Sequence, residues 1–522
     1  MSLVRLVTGV VFVVAGAVGY AMALLRWLRV LQREHYEAGA TVRFFVRWAW
    51  PRVGSPARAT VRRPVPWHYV LLVEVIVLAS FGFGEGAFAV ASVTAVFFPL
   101  RLAVRGRTGS LAWTRRLVTN CVVASVVALA VSSAVAFAAS WWVAGAVGLV
   151  GVPLWIDLAA LITAPYENFR ASQFVTSAAR RLASISPRVV AITGSFGKTS
   201  TKHHLAELMG ARHGVVPSPR SYNNRAGLSR AINENLTDGT RIFIAEMGTY
   251  GPGEIAALCE WCEPEIAVVT AIGPVHLERM GSLDVIEAAK FEITERAPIV
   301  VLNLDDERLA GWPPRLGAQG KRVRTASAVR TDADVQVTTV AERWRITIDG
   351  VVVAIAPPVV GIHESNIAVA IAVALELGLS ASEMISRLAH LTVVANRMVV
   401  ATAPSGVMVI DDTFNANPAG AASAMSTLAA LPIDGRRVVV TPGIIEMGAQ
   451  QFSANEQLGR NAASMGADLV VVARTNAAAL VRGFGAGALR VETRENAVEW
   501  VRANLRAGDG VLYLNDLPDQ YP

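Results

Sequence analysis

The stretch Gly194-Ser-Phe-Gly197-Lys198-Thr199-Ser200 carries the clearest chemistry in the chain. It follows Arg188-Val-Val-Ala-Ile-Thr193, a β-branched run of strand type. Beyond it, Lys202, His203, Leu205, Ala206, Leu208 and Met209 are spaced as a helix. Strand, glycine loop and helix together place backbone N–H groups and the positive end of a helix dipole around an anion. Gly194, Ser195, Gly197 and Ser200 would then cradle the phosphates of ATP. Lys198 would bridge the β- and γ-phosphates, and Thr199 would ligate Mg²⁺. The usual first glycine of such a loop is missing, so the motif rests on its placement after a strand.

Further residues have types suited to the same chemistry. Glu246 ends the apolar run that begins at Ile242, and its carboxylate is a hard oxygen ligand of the kind Mg²⁺ prefers. His276 closes Ile272-Gly-Pro-Val-His; a lone histidine is usually structural. Lys290, beside Ala288, Ala289 and Ile293, reads on its own as a surface lysine of an amphipathic helix. Asn415 and Asn417 either orient substrate groups or cap a turn. Cys259 and Cys262 form a C-x-x-C without partners for zinc or redox work, and read as small apolar residues on a helix. With three cysteines in all, a disulfide scaffold is excluded.

The elements that must position these side chains read as α/β. Between residues 187 and 390 the runs Val189–Thr193, Ile242–Ala245, Ala267–Ala271 and Ile299–Asn303 alternate with helical stretches. That alternation implies a mainly parallel sheet wrapped by helices. Val335–Ile355 reads as small antiparallel strands. Residues 392–522 repeat the α/β theme at Val407–Asp411, Arg437–Thr441, Leu469–Ala473 and Val511–Leu514.

Composition adds a second regime. The 522 residues are 53% hydrophobic and 17% charged, but the apolar excess is concentrated before about residue 165. The net charge of +7 comes largely from arginines that flank apolar runs. Membrane topology explains them better than a nucleic-acid surface does. Leu6–Leu25 is uncharged and has about the 20 residues a span requires. Its length and the runs that follow argue against a cleaved signal peptide. Tyr69–Leu100, Leu117–Ala139 and Val143–Thr163 are the later apolar runs. Arginine-rich loops flank the first of these, and two cytoplasmic loops require an even number of crossings between them. A hairpin turning near Glu85 is therefore expected, with a single tilted span as its rival. The expectation is about five membrane spans over residues 1–165, with everything after them in the cytoplasm. Glu74 and Asp157 lie within spans and are costly there unless paired. Residues 166–186 read as an amphipathic connector at the bilayer surface, or as a plain connecting helix.

Taken jointly, the motifs resemble the Mur ligases of bacterial cell-wall synthesis. The glycine loop looks like that family's ATP loop. Tyr222-Asn223-Asn224, Glu246-Met-Gly248, Gly253-Glu254-Ile255 and Ile272-Gly-x-x-His276-Leu-Glu278 follow in family order. So do Ala289-Lys290-x-Glu292-Ile293 and Asn303-x-Asp305-Asp306. Asn396-Arg397-Met398 and Asp411-Asp412-Thr413-Phe414-Asn415-Ala416-Asn417-Pro418 are similar to the branch that adds D-Ala-D-Ala to UDP-MurNAc-tripeptide, the MurF type. The likeness covers roughly residues 187–515. It implies a P-loop central ATP-binding domain over 187–391 and a Rossmann-like C-terminal domain over 392–522.

The resemblance also implies roles. The activity would be ATP-dependent joining of a carboxylate to an amine through an acyl phosphate. Two Mg²⁺ sites are implied: Thr199 and Glu246 hold one ion, and His276 helps hold the other. Lys198, His276 and Lys290 would be the catalytic set, with Lys290 carrying a CO₂-derived carbamate. Asn303 would face adenine, while Arg397 and Asp412 would reach the phosphate and ribose sides. Asn223, Asn224, Asn415 and Asn417 would lie on the substrate side.

Three departures bear on the substrates. Membrane spans stand where the family has its UDP-binding domain. Gly361-Ile-His363-Glu-Ser-Asn366 compresses a family motif, so one of His363 and Asn366 is expected to be out of register. The C-terminal strand lacks the Lys-Gly-Ser segment that follows it in MurF-type enzymes. The expected acceptor is therefore a small-molecule or lipid-linked carboxylate at the lipid bilayer, and the amine an amino acid or peptide. The alternatives are a membrane poly-γ-glutamate-type synthetase and an ATP-binding membrane scaffold.

Overall fold

The structure is a computed structural model that describes residues 3–34, 36–49, 74–75, 77–79, 81–97, 111–210, 214–220, 222–359, 361–394, 398–413 and 417–515. The chain divides into one compact unit ending at Arg170 and a second beginning at Ala171.

The first unit is helical. Leu3–Arg33, Ala40–Ala49, Gly84–Phe97, Arg115–Ala138 and Trp141–Val150 are its helices, and Val152–Ile185 begins in it. Its core gathers Trp27, Leu28, Leu31, Phe88, Ala91, Leu117, Trp155 and Ile156. The helix Arg115–Ala138 leaves Val118, Val122, Val126 and Leu129 exposed on one stripe, an apolar surface that water does not favour. Among the described residues two helices, Val10–Arg33 and Arg115–Ala138, are long and apolar enough to cross a membrane. Trp141–Val150 and Val152–Ile185 make a third candidate only as a pair bent by 68°. Of the expected hairpin, Gly84–Phe97 is a 14-residue helix, and much of the preceding limb lies outside the described residues. Asp157 is buried, and its carboxylate accepts from the backbone N–H of Thr41 at 3.1 Å and of Val42 at 2.8 Å. It thus satisfies donors at the start of the helix Ala40–Ala49. The helix Val152–Ile185 carries Pro165 in its interior and runs through the boundary expected at 165/166. Proline removes one backbone donor there, and the helix formers around it carry the helix past the gap.

The second unit holds two sheets. The first has strands β1 (Arg188–Thr193), β2 (Val215–Pro217), β3 (Ile242–Glu246), β4 (Ile266–Val269), β5 (Ile299–Asn303), β6 (Arg322–Ser327), β7 (Val335–Val340), β8 (Arg343–Ile348) and β9 (Val351–Ala356). Their order is β2-β3-β1-β4-β5-β6-β7-β8-β9. Neighbours from β2 to β7 run parallel, and β8 is antiparallel to both β7 and β9. Successive side chains of a strand point to opposite faces, and both faces of this sheet are covered. Val189 and Ala191 enter one core with Leu228, Ile255 and Ala289. Val190 and Ile192 enter the other with Leu205, Leu208 and Ile371. Two covered faces explain why these strands read as continuous apolar runs.

The second sheet has β10 (Val399–Thr402), β11 (Met408–Asp412), β12 (Arg437–Thr441), β13 (Asp468–Val472), β14 (Leu489–Val491) and β15 (Gly510–Leu514), in the order β10-β11-β15-β12-β13-β14. It is parallel except at the β10/β11 edge.

Candidate active site

In the order β3-β1-β4-β5, four adjacent parallel strands deliver their C-terminal ends to one edge. Glu246 ends β3, the glycine loop follows β1, Thr270 follows β4, and Asn303 ends β5. Such an edge is where open parallel sheets take ligands.

The loop Gly194–Gly197 is tied to the neighbouring strand. Ser195 N–H donates to Ala271 O at 2.7 Å, and Ser195 Oγ donates to Gly273 O at 3.0 Å. The same hydroxyl accepts from Gly273 N–H at 2.8 Å. Gly194 has φ +153° and Gly197 has φ +83°. A Cβ at Gly194 would fall 2.0 Å from Thr270 Oγ1, and one at Gly197 would fall 2.6 Å from Asn366 Oδ1. Glycine is required at both by conformation and by space. Lys198 opens the helix Lys198–Met209, and its ammonium donates to Gly194 O.

Glu246 is the hub. Its Oε2 accepts from Thr199 Oγ1 at 3.0 Å and from Lys202 Nζ at 2.9 Å. Its Oε1 accepts from Asn223 Nδ2 at 3.3 Å, and its own N–H donates to Ser218 Oγ at 3.1 Å. Burial pushes its carboxyl up. The charges of Lys202 and Lys198 and the hydrogen bonds from Lys202 and Thr199 outweigh that, and hold it below the usual carboxylate range. Lys202 was not singled out from sequence.

Lys290 is 3% exposed, which corrects its reading as a surface lysine. Burial, with the charge of Lys198 added, drives its pKa well below the usual lysine value. That lowering favours the neutral amine, which is the nucleophilic form.

His276 stands on a left-handed backbone, φ +54°. Its Nδ1 bonds Glu446 Oε2 at 2.5 Å, and its ring lies 4.6 Å from that of Tyr250. Glu446, in the segment after β12, was not identified from sequence. Among the described residues no three His, Cys, Asp or Glu side chains group as a metal site. A cation here would be held by a mixed set that includes Thr199 and phosphate oxygens, as is usual for Mg²⁺. The residues fit it. Ligand bonds of about 2.1 Å put neighbouring oxygens of an octahedron about 3.0 Å apart, the separation found between Thr199 Oγ1 and Glu246 Oε2.

A cavity of about 470 Å³ opens beside the loop, within the range of small-molecule sites. Gly197, Ser200, Thr270, Asn303, Asn366 and His363 line it from the first sheet, and Met398 and Asp412 from the second. His363 and Asn366, one of which was expected out of register, both reach it. Asn303 is fixed by donating to Thr270 O at 3.0 Å and accepting from Asp305 N–H at 3.2 Å. Asp412 is buried and accepts from Met398 N–H at 3.2 Å. His204 also lines the cavity, and burial pushes its pKa down.

Asn224 and Asn417 cap helices, accepting from Gly227 N–H at 2.9 Å and Gly420 N–H at 2.8 Å. Arg397 and Asn415 lie outside the described residues. Burial pushes the Cys259 thiol up to about 12, and Cys262 well above its ordinary value.

Much of the second unit is similar to known proteins. Residues 192–374 match the family described as Mur ligase middle domain, and residues 396–514 match the one described as Mur ligase, glutamate ligase domain. The UDP-N-acetylmuramoyl-tripeptide–D-alanyl-D-alanine ligase of Mycobacterium tuberculosis is 32% identical over 371 residues, which is 65% of this chain and 72% of that protein. The Escherichia coli K12 ligase of the same name is 29% identical, with 65% and 75% covered. The crystal structure of the MurF ligase of Thermotoga maritima in complex with ADP superposes with a TM-score of 0.59 at 25% identity, covering 66% of this chain and 80% of that one.

Proposed function

The chain belongs to the Mur ligase family, and from that premise we propose how its site does the family's work. It is a MurF-like, ATP-dependent ligase that forms an amide bond in peptidoglycan synthesis. The observation that carries the reading is the junction of Thr199, Lys202 and Glu246 beside the glycine loop.

In our reading the loop is a P-loop. Its N–H groups and Lys198 hold the phosphates of ATP, and the cavity takes the nucleoside. Asn303 faces adenine and Asp412 the ribose. The acceptor carboxylate attacks the γ-phosphorus, so a new P–O bond forms as the bond to ADP breaks. The amine then attacks the acyl carbon, loses a proton and expels phosphate, which leaves the amide. Mg²⁺ would supply neutralisation of the phosphoryl charge, held by Thr199 and Glu246 at one position and by His276 at a second. Lys202 keeps Glu246 anionic. Lys290, whose burial favours the neutral amine, is suited to react with CO₂ and present a carbamate. These groups are preplaced where charge develops, which is the main protein contribution to phosphoryl transfer. Asn223, Asn224 and Asn417 are assigned to the acceptor side.

The N-terminal helices are read as membrane spans, with the exposed stripe Val118–Leu129 toward lipid. The ligase domains then work on the cytoplasmic side of a bacterial plasma membrane, where a lipid-linked carboxylate acceptor is available. The test is phosphate release by the detergent-purified chain over acceptor and amine pairs. These include UDP-MurNAc-tripeptide and lipid-linked muramyl peptides, each with and without D-Ala-D-Ala. Release that requires both an acceptor and an amine is expected. ATP binding with no pair raising turnover would sink the ligase reading in favour of a scaffold.

A further inference from the structure

His276 and Glu446 meet across 170 positions of sequence, one from the nine-stranded sheet and the other from the segment after β12. The contact has two strands of support. Nδ1 of His276 bonds Glu446 Oε2 at 2.5 Å, and Glu278 N–H donates to Glu446 O at 3.1 Å. Both residues hold positive φ, +54° for His276 and +61° for Glu446. Non-glycine residues persist in that region where surrounding contacts over-determine them. Tyr250 closes one face of the imidazole, with the Arg279 guanidinium 5.3 Å above the tyrosine ring. Nε2 of His276 makes no hydrogen bond among the described residues.

We propose that Glu446 is a positioning residue for His276. Its carboxylate holds Nδ1–H, which fixes the ring orientation and leaves Nε2 as the lone pair for a divalent cation. A carboxylate on the far nitrogen is the usual partner of a metal-ligating imidazole. Here the partner comes from the other sheet, so the second cation site is complete only while that sheet is docked. This rests on the reading of His276 as a ligand.

The test uses the full chain in detergent with a non-hydrolysable ATP analogue, and Mn²⁺ as a spin-active probe counted by electron paramagnetic resonance. Wild type is expected to bind two Mn²⁺. Glu446→Ala is expected to weaken the second by about 10–100-fold, the usual cost of losing such a partner, while the first site and the melting temperature hold. Glu446→Gln, which keeps an oxygen acceptor, should weaken it less, and decides the matter if the alanine variant does not fold. A folded variant that binds both ions as wild type does overturns the inference alone. A wild-type chain that binds one ion overturns the ligand reading, and the inference with it.

Discussion

Lys202 Nζ lies 2.9 Å from Glu246 Oε2, with the two side chains 5% and 2% exposed. The pair is internal to the site, because the same carboxylate oxygen accepts from Thr199. Removing one partner of a buried pair strands the other charge, at about 3–5 kcal/mol. Lys202→Met is expected to lower unfolding stability by that amount. Lys202→Met with Glu246→Leu should recover most of the loss, since the stranded charge is gone. A single-variant loss below about 1 kcal/mol would mean that the ion pair does not exist in solution.

The same carboxylate sets an acid limit. Its folded pKa is lowered, so the stability it contributes is present above the unfolded value of about 4.3. That stability is lost as pH falls through the lower folded value. Glu246→Gln removes this contribution. Melting followed from neutral pH down to about pH 3 should fall less steeply on the acid side in the variant, and identical slopes would contradict the assignment.

Lys198→Ala should cut ATP-dependent phosphate release by at least about 100-fold, the scale of losing one preplaced charge-stabilising donor. The variant should still fractionate with membranes as wild type does. Turnover at the wild-type rate would remove the loop from the mechanism.

Lys290 gives a spectroscopic test. An ordinary lysine amine is protonated until about pH 10.4. Burial and Lys198 lower the pKa of this one, so its neutral, CO₂-reactive form is reached at lower pH than in an ordinary lysine. With ¹³C-bicarbonate, a carbamate resonance is expected near neutral pH and should strengthen as pH rises. Lys290→Met should lack it. A resonance equally strong in the variant would place the carbamate elsewhere.

Cys259 and Cys262 are buried with raised thiol pKa values, Cys259 at about 12. Thiolate is the reactive form, so maleimide should leave both unlabelled in the folded chain and modify both after denaturation. Rapid labelling of either under native conditions would reopen a redox role for the C-x-x-C.

The strand framework was legible because β-branched runs bounded by polar turns have one economical fold. Ile299–Asn303 and Arg437–Thr441 fall where the pattern puts them. The glycine loop was legible for a related reason: its chemistry is local. Lys290 was misread from its own residues, because helical spacing tells which face is apolar and not what later covers a lysine beside it. Lys202 looks like any polar residue in a helix until β3 brings Glu246 against it, 44 positions away. Glu446 carries no local signal at all, since its partner stands on another sheet. The helix Val152–Ile185 runs on past residue 165, because composition changes there while helix-forming tendency does not.

The cavity between Asn303 and Asp412 has walls from two separately cored sheets. Whatever fills it is mortar between them. Ligand bound at about 100 times its dissociation constant adds about 2.7 kcal/mol to the state that binds it, and here that state is the apposition of both halves. Nucleotide should therefore raise the melting temperature of the unit that holds both sheets, so that the fuel for the reaction also sets how firmly the machine is assembled at each turn of its cycle.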